Sequence, residues 1–408
     1  MKHVWLDVDP ISGSRPPLPW HVLKQFYKGH DDAIAILLAL HSPNVVLLGI
    51  STVHGNAPSE CTMHNAARCL HVFSASAPSA DKPDIRVYPG APKPLLRPTK
   101  HLKSLGADGL GGVEGLPDFD SSDVIRWFAK DADGEYIRAL DGLAHAVRQT
   151  WNRGSGHQTT IVSCGPMTNV ALFTAAYPDL LEAVEEIVFM GGGVGLGNRS
   201  PVAEYNIWCD RRFSHVVDAS HGDFSSAHAA QMVLDAPVKK VMIPINVTHS
   251  AIVTRQMHAY LLSPTTTLED ANAPFPAPTT NLRHTLSTLI DFFADSYKAP
   301  FGFHDGPPLH DAMTVAYIAV RELFKGTRYR VDIELIGTHA LGEIVVDVWN
   351  HQVCGETGWG PGKKNCIVIQ SVDVSGFFKF FHDCVLRCDQ VSPLNLIECS
   401  EVVDPNLN

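Results

Sequence analysis

Acidic side chains cluster near the start of this chain, as Asp7-Val8-Asp9-Pro10 and as Asp31-Asp32 following Gly29-His30, and His310-Asp311 adds another acid far along it. Carboxylates held together repel one another unless a cation sits among them. Oxygen-only donors suit a hard cation such as Ca²⁺ or Mg²⁺. A single Asp ahead of a helix is ordinarily an N-cap, so Asp31 or Asp32, and separately Asp311, can each be read that way. Four acids in one strand-to-helix connection exceed what capping needs. Glu204 and Asn206 stand two apart and would project the same way in an extended segment. They follow Met190-Gly191-Gly192-Gly193, Gly195 and Gly197-Asn198, a loop whose backbone can approach a ligand closely. Neither the P-loop spacing nor the G-x-G-x-x-G spacing is met there.

These residues need a framework, and its pattern is short apolar runs alternating with helical stretches. Val4–Leu6, Val45–Val53, Thr160–Cys164, Ile187–Met190 and Val238–Ile245 read as strands joined by crossover helices. Ala33–Leu40 is apolar on every side and stops before Pro43, as a buried helix does. Thr168-Asn169 opens another helix and Asp311 a third. The fold class expected is α/β, a Rossmann-like open, mainly parallel sheet with helices on both faces. Such sheets bind ligands beyond the carboxyl ends of their strands, where Asp7-Val8-Asp9 and His54-Gly55-Asn56 fall. Ser74–Leu105, Ser263–Asn281 and Gly355–Lys364 read as loops, the first a candidate lid leading into Gly106–Gly112.

With 32 Lys+Arg against 43 Asp+Glu, the net charge is −11 and no dense basic stripe appears, which argues against nucleic acid as the main partner. No apolar run reaches membrane-span length, and no signal peptide is readable. Nine cysteines without a C-x-x-C fit reduced thiols and a cytoplasmic protein. One domain over residues 1–395 with a tail at 396–408 accounts for the pattern.

In order along the chain, Asp-x-Asp-Pro, Gly-x-Asp-Asp-Ala, Thr52-Val53-His54-Gly55-Asn56, Gly109-Leu110-Gly111-Gly112, Gly165-Pro166-Met167-Thr168-Asn169, Met190-Gly-Gly-Gly, Ala203-Glu204-Tyr205-Asn206, Val247-Thr248-His249 and Pro308-Leu309-His310-Asp311 resemble the inosine-uridine preferring nucleoside hydrolases over roughly residues 3–350. The resemblance implies hydrolysis of the N-glycosidic bond of ribonucleosides, of the uridine and inosine class, with one bound Ca²⁺. By it, Asp9, Asp32 and Asp311 are carboxylate ligands of the ion and the backbone carbonyl of Cys164 is another. Asp9 is also the general base that takes the proton of the attacking water. Asp31, Asn56 and Asn206 are ribose-hydroxyl partners, Asn198 and Glu204 hold the 5′-hydroxyl, and Met190 lies against the sugar. Asp7 supports from behind. His310 resembles the histidine that protonates the leaving base in some members. The resemblance also implies a dimer or tetramer of identical chains acting on a small-molecule substrate.

Where the family often has His before the Gly-x-Asp-Gly-Leu-Gly segment, this chain has Leu105, with His101 nearby, so the preferred base stays open. Asn246 stands where many members have Asp, and a structural change is expected there. Two interruptions matter more. Residues 11–28 split Asp-Pro from Gly-x-Asp-Asp, and residues 211–228 follow Cys209-Asp210. Neither carries a motif, as in-frame retained introns or gene-model errors would leave them; the alternative is genuine surface excursions. A split metal loop allows a catalytically impaired homologue, with Arg15, Lys24 and Lys28 lying over the acids. A remoter alternative is a phosphatase of the haloacid dehalogenase type, which Asp7-Val8-Asp9 after an apolar strand also resembles.

Overall fold

A computed structural model describes residues 1–10, 30–55, 59–74, 84–95, 113–209, 227–266, 268, 270 and 273–396 of the 408. The first insert therefore lies outside the described residues, as do Asn56, His101, Leu105, residues 109–112 and all but the last two residues of the second insert. Those two, Ala227 and His228, belong to a helix rather than to an excursion.

The described elements run β1 (Lys2–Val8), α1 (Asp31–His41), β2 (Val45–Thr52), α2 (Ser59–Phe73), β3 (Val87–Pro89), α3 (Ala139–Trp151), β4 (Thr159–Ser163), α4 (Thr168–Ala176), β5 (Val184–Met190), α5 (Tyr205–Cys209), α6 (Ala227–Asp235), β6 (Lys240–Ile243), α7 (Arg255–Leu262), α8 (Asn281–Phe301), α9 (Ala312–Ala319), β7 (Phe324–Tyr329), β8 (Val331–Ile333), β9 (Ile344–Val346), β10 (Cys366–Val372) and α10 (Val374–Asp389), with single turns between some of them. Eight strands form one sheet in the order β3-β2-β1-β4-β5-β6-β10-β7, parallel throughout except for the antiparallel edge pair β10–β7. The expected mainly parallel α/β sheet is what forms. The short edge strand β3 corrects the reading of Ser74–Leu105 as loop throughout: Val87–Pro89 runs parallel to the end of β2.

Alternation along β1 divides the core. Val4, Leu6 and Val8 enter one apolar layer with α1, α2, α9 and α10, while Trp5 enters the other with α3, α4 and α6. The first layer explains the all-round apolarity of α1. Ala33–Ala39 is buried because α2, α9 and α10 all pack on it.

From β1 the chain winds outward through β2 and β3, then returns to β4 on the other side of β1. Opposite winding on the two sides opens a crevice at the carboxyl ends of β1 and β4. Asp7 pairs in register with Ser163, and the N–H of Cys164 donates to the carbonyl of Asp7 over 2.8 Å. The strand ends carrying Asp9 and Cys164 thus lie side by side.

Candidate active site

Beyond that crevice the carboxylates converge. Oxygens of Asp31, Asp32 and Asp311, all buried, lie within 4.8 Å of one another. Oxygens held about 2.3–2.6 Å from one Ca²⁺ are at most about 5 Å apart, so this spacing is close enough for the three to share one cation. Asp31 and Asp32 open α1, whose N-cap is His30, and Asp311 is the N-cap residue of α9 without a capping hydrogen bond from its side chain. Capping therefore does not account for these three acids. The N-cap reading of Asp31 or Asp32 is corrected: both stand inside the first turn with their carboxylates turned toward the cluster.

Burial, reinforced by the other carboxylates, holds Asp32 and Asp311 well above the usual range. Burial likewise pushes Asp31 up to about 6, although its Oδ2 accepts the backbone N–H groups of His310 (3.0 Å) and Asp311 (3.2 Å). Asp32 Oδ1 accepts the backbone N–H of Asp9 at 3.2 Å, and Asp32 Oδ2 has no hydrogen-bond partner among the described residues. A buried carboxylate oxygen without a partner is costly, and a cation or a proton would satisfy it.

Asp9 is not one of the three. Its carboxylate lies against the bare backbone of Gly55 and Gly165: a Cβ would stand 1.9 Å from Asp9 Oδ2 at the first and 2.7 Å from Oδ1 at the second. Both glycines leave the room this side chain occupies. Asp31, which the resemblance makes a ribose partner, also belongs to the acidic cluster.

Below Asp9, Asp7 Oδ1 accepts from Ser51 Oγ (2.5 Å) and Asn169 Nδ2 (2.7 Å), and Ser51 in turn accepts from the indole N–H of Trp5 at 2.8 Å. Burial pushes Asp7 up to about 7 against these two donors. Asp7 is thereby tied into the strand ends by two side-chain hydrogen bonds.

On the other wall, Glu204 gathers backbone donors from Gly192 (2.8 Å), Asn206 (2.9 Å) and Ile207 (3.3 Å). Burial raises it to about 7 in spite of them. The expected extended Glu204-Tyr205-Asn206 is corrected: α5 begins at Tyr205, and the Glu204 carboxylate satisfies the N–H groups of its first turn. Asn206 Nδ2 donates to the carbonyls of Cys164 (2.7 Å) and Met190 (3.1 Å), joining the ends of β4 and β5. Asn198 Oδ1 accepts the N–H of Tyr205 at 2.9 Å. Asn246 pairs with the backbone of Val194 in both directions.

His310 is buried with both ring nitrogens engaged, Nδ1 with Thr248 Oγ1 at 2.7 Å and Nε2 with Tyr297 Oη at 2.8 Å. Burial, with His249 beside it, holds its pKa well below the ordinary value, so the ring is neutral near pH 7. Phe293, Tyr297 and Phe303 gather around the two histidines. Neither Tyr297 nor Ser51 was singled out from sequence, and Asn169 was named only as a helix opener and as part of the Gly165–Asn169 motif. The spacing of Phe293, Tyr297 and Phe301 along one face of α8 was the available signal for the first.

The model of the inosine-uridine preferring nucleoside hydrolase family matches residues 4–379. The chain belongs to this family. It is thus a hydrolase acting on the N-glycosidic bonds of nucleosides. Among its relatives, a pyrimidine-specific ribonucleoside hydrolase of Shewanella woodyi is 33% identical over 86% of this chain and 92% of its own. An uncharacterized protein of Schizosaccharomyces pombe is 28% identical over 93% and 92%. The fold is similar to that of a purine-preferring ribonucleoside hydrolase from Gardnerella vaginalis, at a TM-score of 0.68 and 21% identity over 96% of this chain and all of that one. It also resembles a plant nucleoside hydrolase, at 0.66 and 23% over 94% and 98%. No helix among the described residues is long and apolar enough to cross a membrane.

Proposed function

We propose that this chain hydrolyses ribonucleosides of the uridine and inosine class to ribose and free base, with one Ca²⁺ held by Asp32, Asp311, Asp9 and the carbonyl of Cys164. The observation that carries this reading is the buried trio Asp31, Asp32 and Asp311, with oxygens within 4.8 Å and Asp32 Oδ2 left over. The all-oxygen set fits a hard cation. Such an ion, when bound, supplies a Lewis-acidic centre that orients the sugar hydroxyls and acidifies a water.

The chain's own residues do the rest. Asp9, beside Gly55 and Gly165 at the mouth of the crevice, takes the proton of the attacking water on its carboxylate. Asp31, Asn56 and Asn206 hold the ribose hydroxyls, Asn198 and Glu204 hold the 5′-hydroxyl, and Met190 packs on the sugar. Carboxylate and carbonyl oxygens around the anomeric carbon stabilise the positive charge that develops there as the base departs. His310, hydrogen-bonded to Tyr297 Oη, serves the departing base through that pair: the Tyr297 hydroxyl proton goes to the base, His310 Nε2–H steadies the phenolate left behind, and the proton that Asp9 took from water returns to the phenolate through solvent.

The meeting of Asp9 and Asp32 across the split loop supports an active enzyme over an impaired homologue. The relatives named as pyrimidine-specific support uridine as a substrate. We further read residues 1–395 as one catalytic domain that works in the cytoplasm as a homo-oligomer.

Product analysis tests this reading. Incubation with uridine and inosine in phosphate-free buffer should yield free ribose and free base in equal amounts. A requirement for phosphate with ribose 1-phosphate as product, or no cleavage of either nucleoside, would overturn it.

A further inference from the structure

One buried side chain outside the groups already assigned ties together the strand ends on which this site is built. Asn169 stands in the first turn of α4. Its Nδ2 donates to Asp7 Oδ1 (2.7 Å) at the end of β1 and to the carbonyl of Thr52 (3.0 Å) at the end of β2. Its Oδ1 accepts the N–H of Ala91 (2.8 Å), two residues beyond β3. Gly90 packs so closely that a Cβ there would lie 2.3 Å from Asn169 Nδ2 and 2.1 Å from the Thr52 carbonyl. Three consecutive strand ends thus converge on one amide. They lead respectively to Asp9, to His54-Gly55-Asn56, and to the loop that runs toward Gly106–Gly112.

The chemistry of the contacts requires an amide. Asp7 Oδ1 and the Thr52 carbonyl are acceptors and need donors; the Ala91 N–H is a donor and needs an acceptor. Only a side chain with both can serve all three. Asp7 Oδ2 has no hydrogen-bond partner among the described residues, so Asn169 and Ser51, both acting on Oδ1, fix that carboxylate.

We propose that Asn169 is a positioning residue for catalysis: by locking Asp7 and the ends of β2 and β3, it sets where Asp9 and Gly55 stand relative to the acidic cluster. The inference rests on the metal-assisted reading above and deepens it. Outer partners of a ligand set typically change metal affinity or activity about 10–100-fold when removed.

The test uses the full chain with Asn169→Ala and Asn169→Asp, the latter placing a carboxylate against two acceptors. Each variant is read by circular dichroism, by calorimetric titration with Ca²⁺ alone, and by kcat and KM separately. The proposal expects native secondary structure, Ca²⁺ affinity reduced severalfold to about a hundredfold, and a loss carried by kcat more than by KM, with Asn169→Asp the worse. A folded variant whose melting temperature falls while Ca²⁺ affinity and kcat stay at wild-type values would overturn it, since a merely structural residue behaves that way. If both variants fail to fold, Ser51→Ala removes the second donor to Asp7 Oδ1 together with the acceptor of the Trp5 indole N–H, and Trp5→Phe, which loses only that indole N–H, is its control; a drop in Ca²⁺ affinity and kcat with Ser51→Ala but not with Trp5→Phe sustains the proposal, and wild-type values of both with Ser51→Ala defeat it. A wild-type chain that cleaves no nucleoside defeats the proposed function instead, and the Ca²⁺ titrations then still decide the role of Asn169.

Discussion

The backbone N–H of Asp9 donates to Asp32 Oδ1 over 3.2 Å, although the two residues stand 23 apart in sequence. Residues 11–28 stand between them in the chain, yet Asp9 and Asp32 meet at one corner of the site. Loop-closure entropy grows only logarithmically with length, so a long excursion between fixed ends is thermodynamically tolerable. Deleting residues 11–28 should therefore leave kcat/KM for uridine within about threefold of the full chain, a margin of about 0.6 kcal/mol. Parallel kinetics of the two forms check this, and an activity gain of about a hundredfold on deletion would show that the insertion obstructs the site.

Asp32→Asn tests the cation directly. Removing one of three crowded carboxylates should raise the melting temperature of the chelator-treated protein, because burial and repulsion disfavour the charged form in the native state. The same change should abolish the stabilisation by Ca²⁺, which for a tight site is about 2.7 kcal/mol at a hundredfold excess over the dissociation constant. Thermal scans with and without Ca²⁺ measure both effects, which have opposite signs.

Gly165→Ala should be far more damaging to turnover than to stability. Its Cβ would meet Asp9 Oδ1 at 2.7 Å and drive the carboxylate from its place. A tenfold or larger fall in kcat, about 1.4 kcal/mol in the barrier, is expected with secondary structure intact, as read by steady-state kinetics and circular dichroism.

Tyr297→Phe and His310→Ala should each lower kcat for uridine about 10²-fold or more, the usual scale of general acid catalysis. With an aryl riboside whose leaving group needs no proton, both variants should approach the wild-type rate. Equal losses on both substrates would assign the pair to packing.

Metal-free stability should fall as pH rises. Burial lifts Asp7 and Glu204 to about 7, above their unfolded values near 4. Each binds its proton more tightly in the native state, so its contribution is full below about pH 4 and is lost as pH rises through about 7. Melting temperatures in chelator should be higher at about pH 5.5 than at about pH 8, and Glu204→Gln should flatten part of that slope.

Much of this was legible from local pattern. Apolar runs marked β1, β2, β4, β5 and β6, and the all-round apolarity of Ala33–Leu40 marked α1, because burial on both sheet faces leaves a continuous signature. β3 was not legible: Val87–Pro89 is too short and ends in Pro, and it is a strand only because β2 offers it an edge. β7 was hidden by the exposed polar run typical of an edge strand, here Lys325, Gly326 and Thr327. In the site, the acids announced themselves by density, whereas Asn169 read as a helix opener and as the end of the Gly165–Asn169 motif, and Tyr297 carried no signal of its own. Their roles come from contacts across 162 and 13 residues that no local spacing encodes.

The most direct measurement is ribose release from uridine and inosine by the purified 408-residue chain, with Ca²⁺ and with chelator. Release that chelator stops and added Ca²⁺ restores is the expected result. Release indifferent to chelator, or none from either nucleoside in the presence of Ca²⁺, would contradict it.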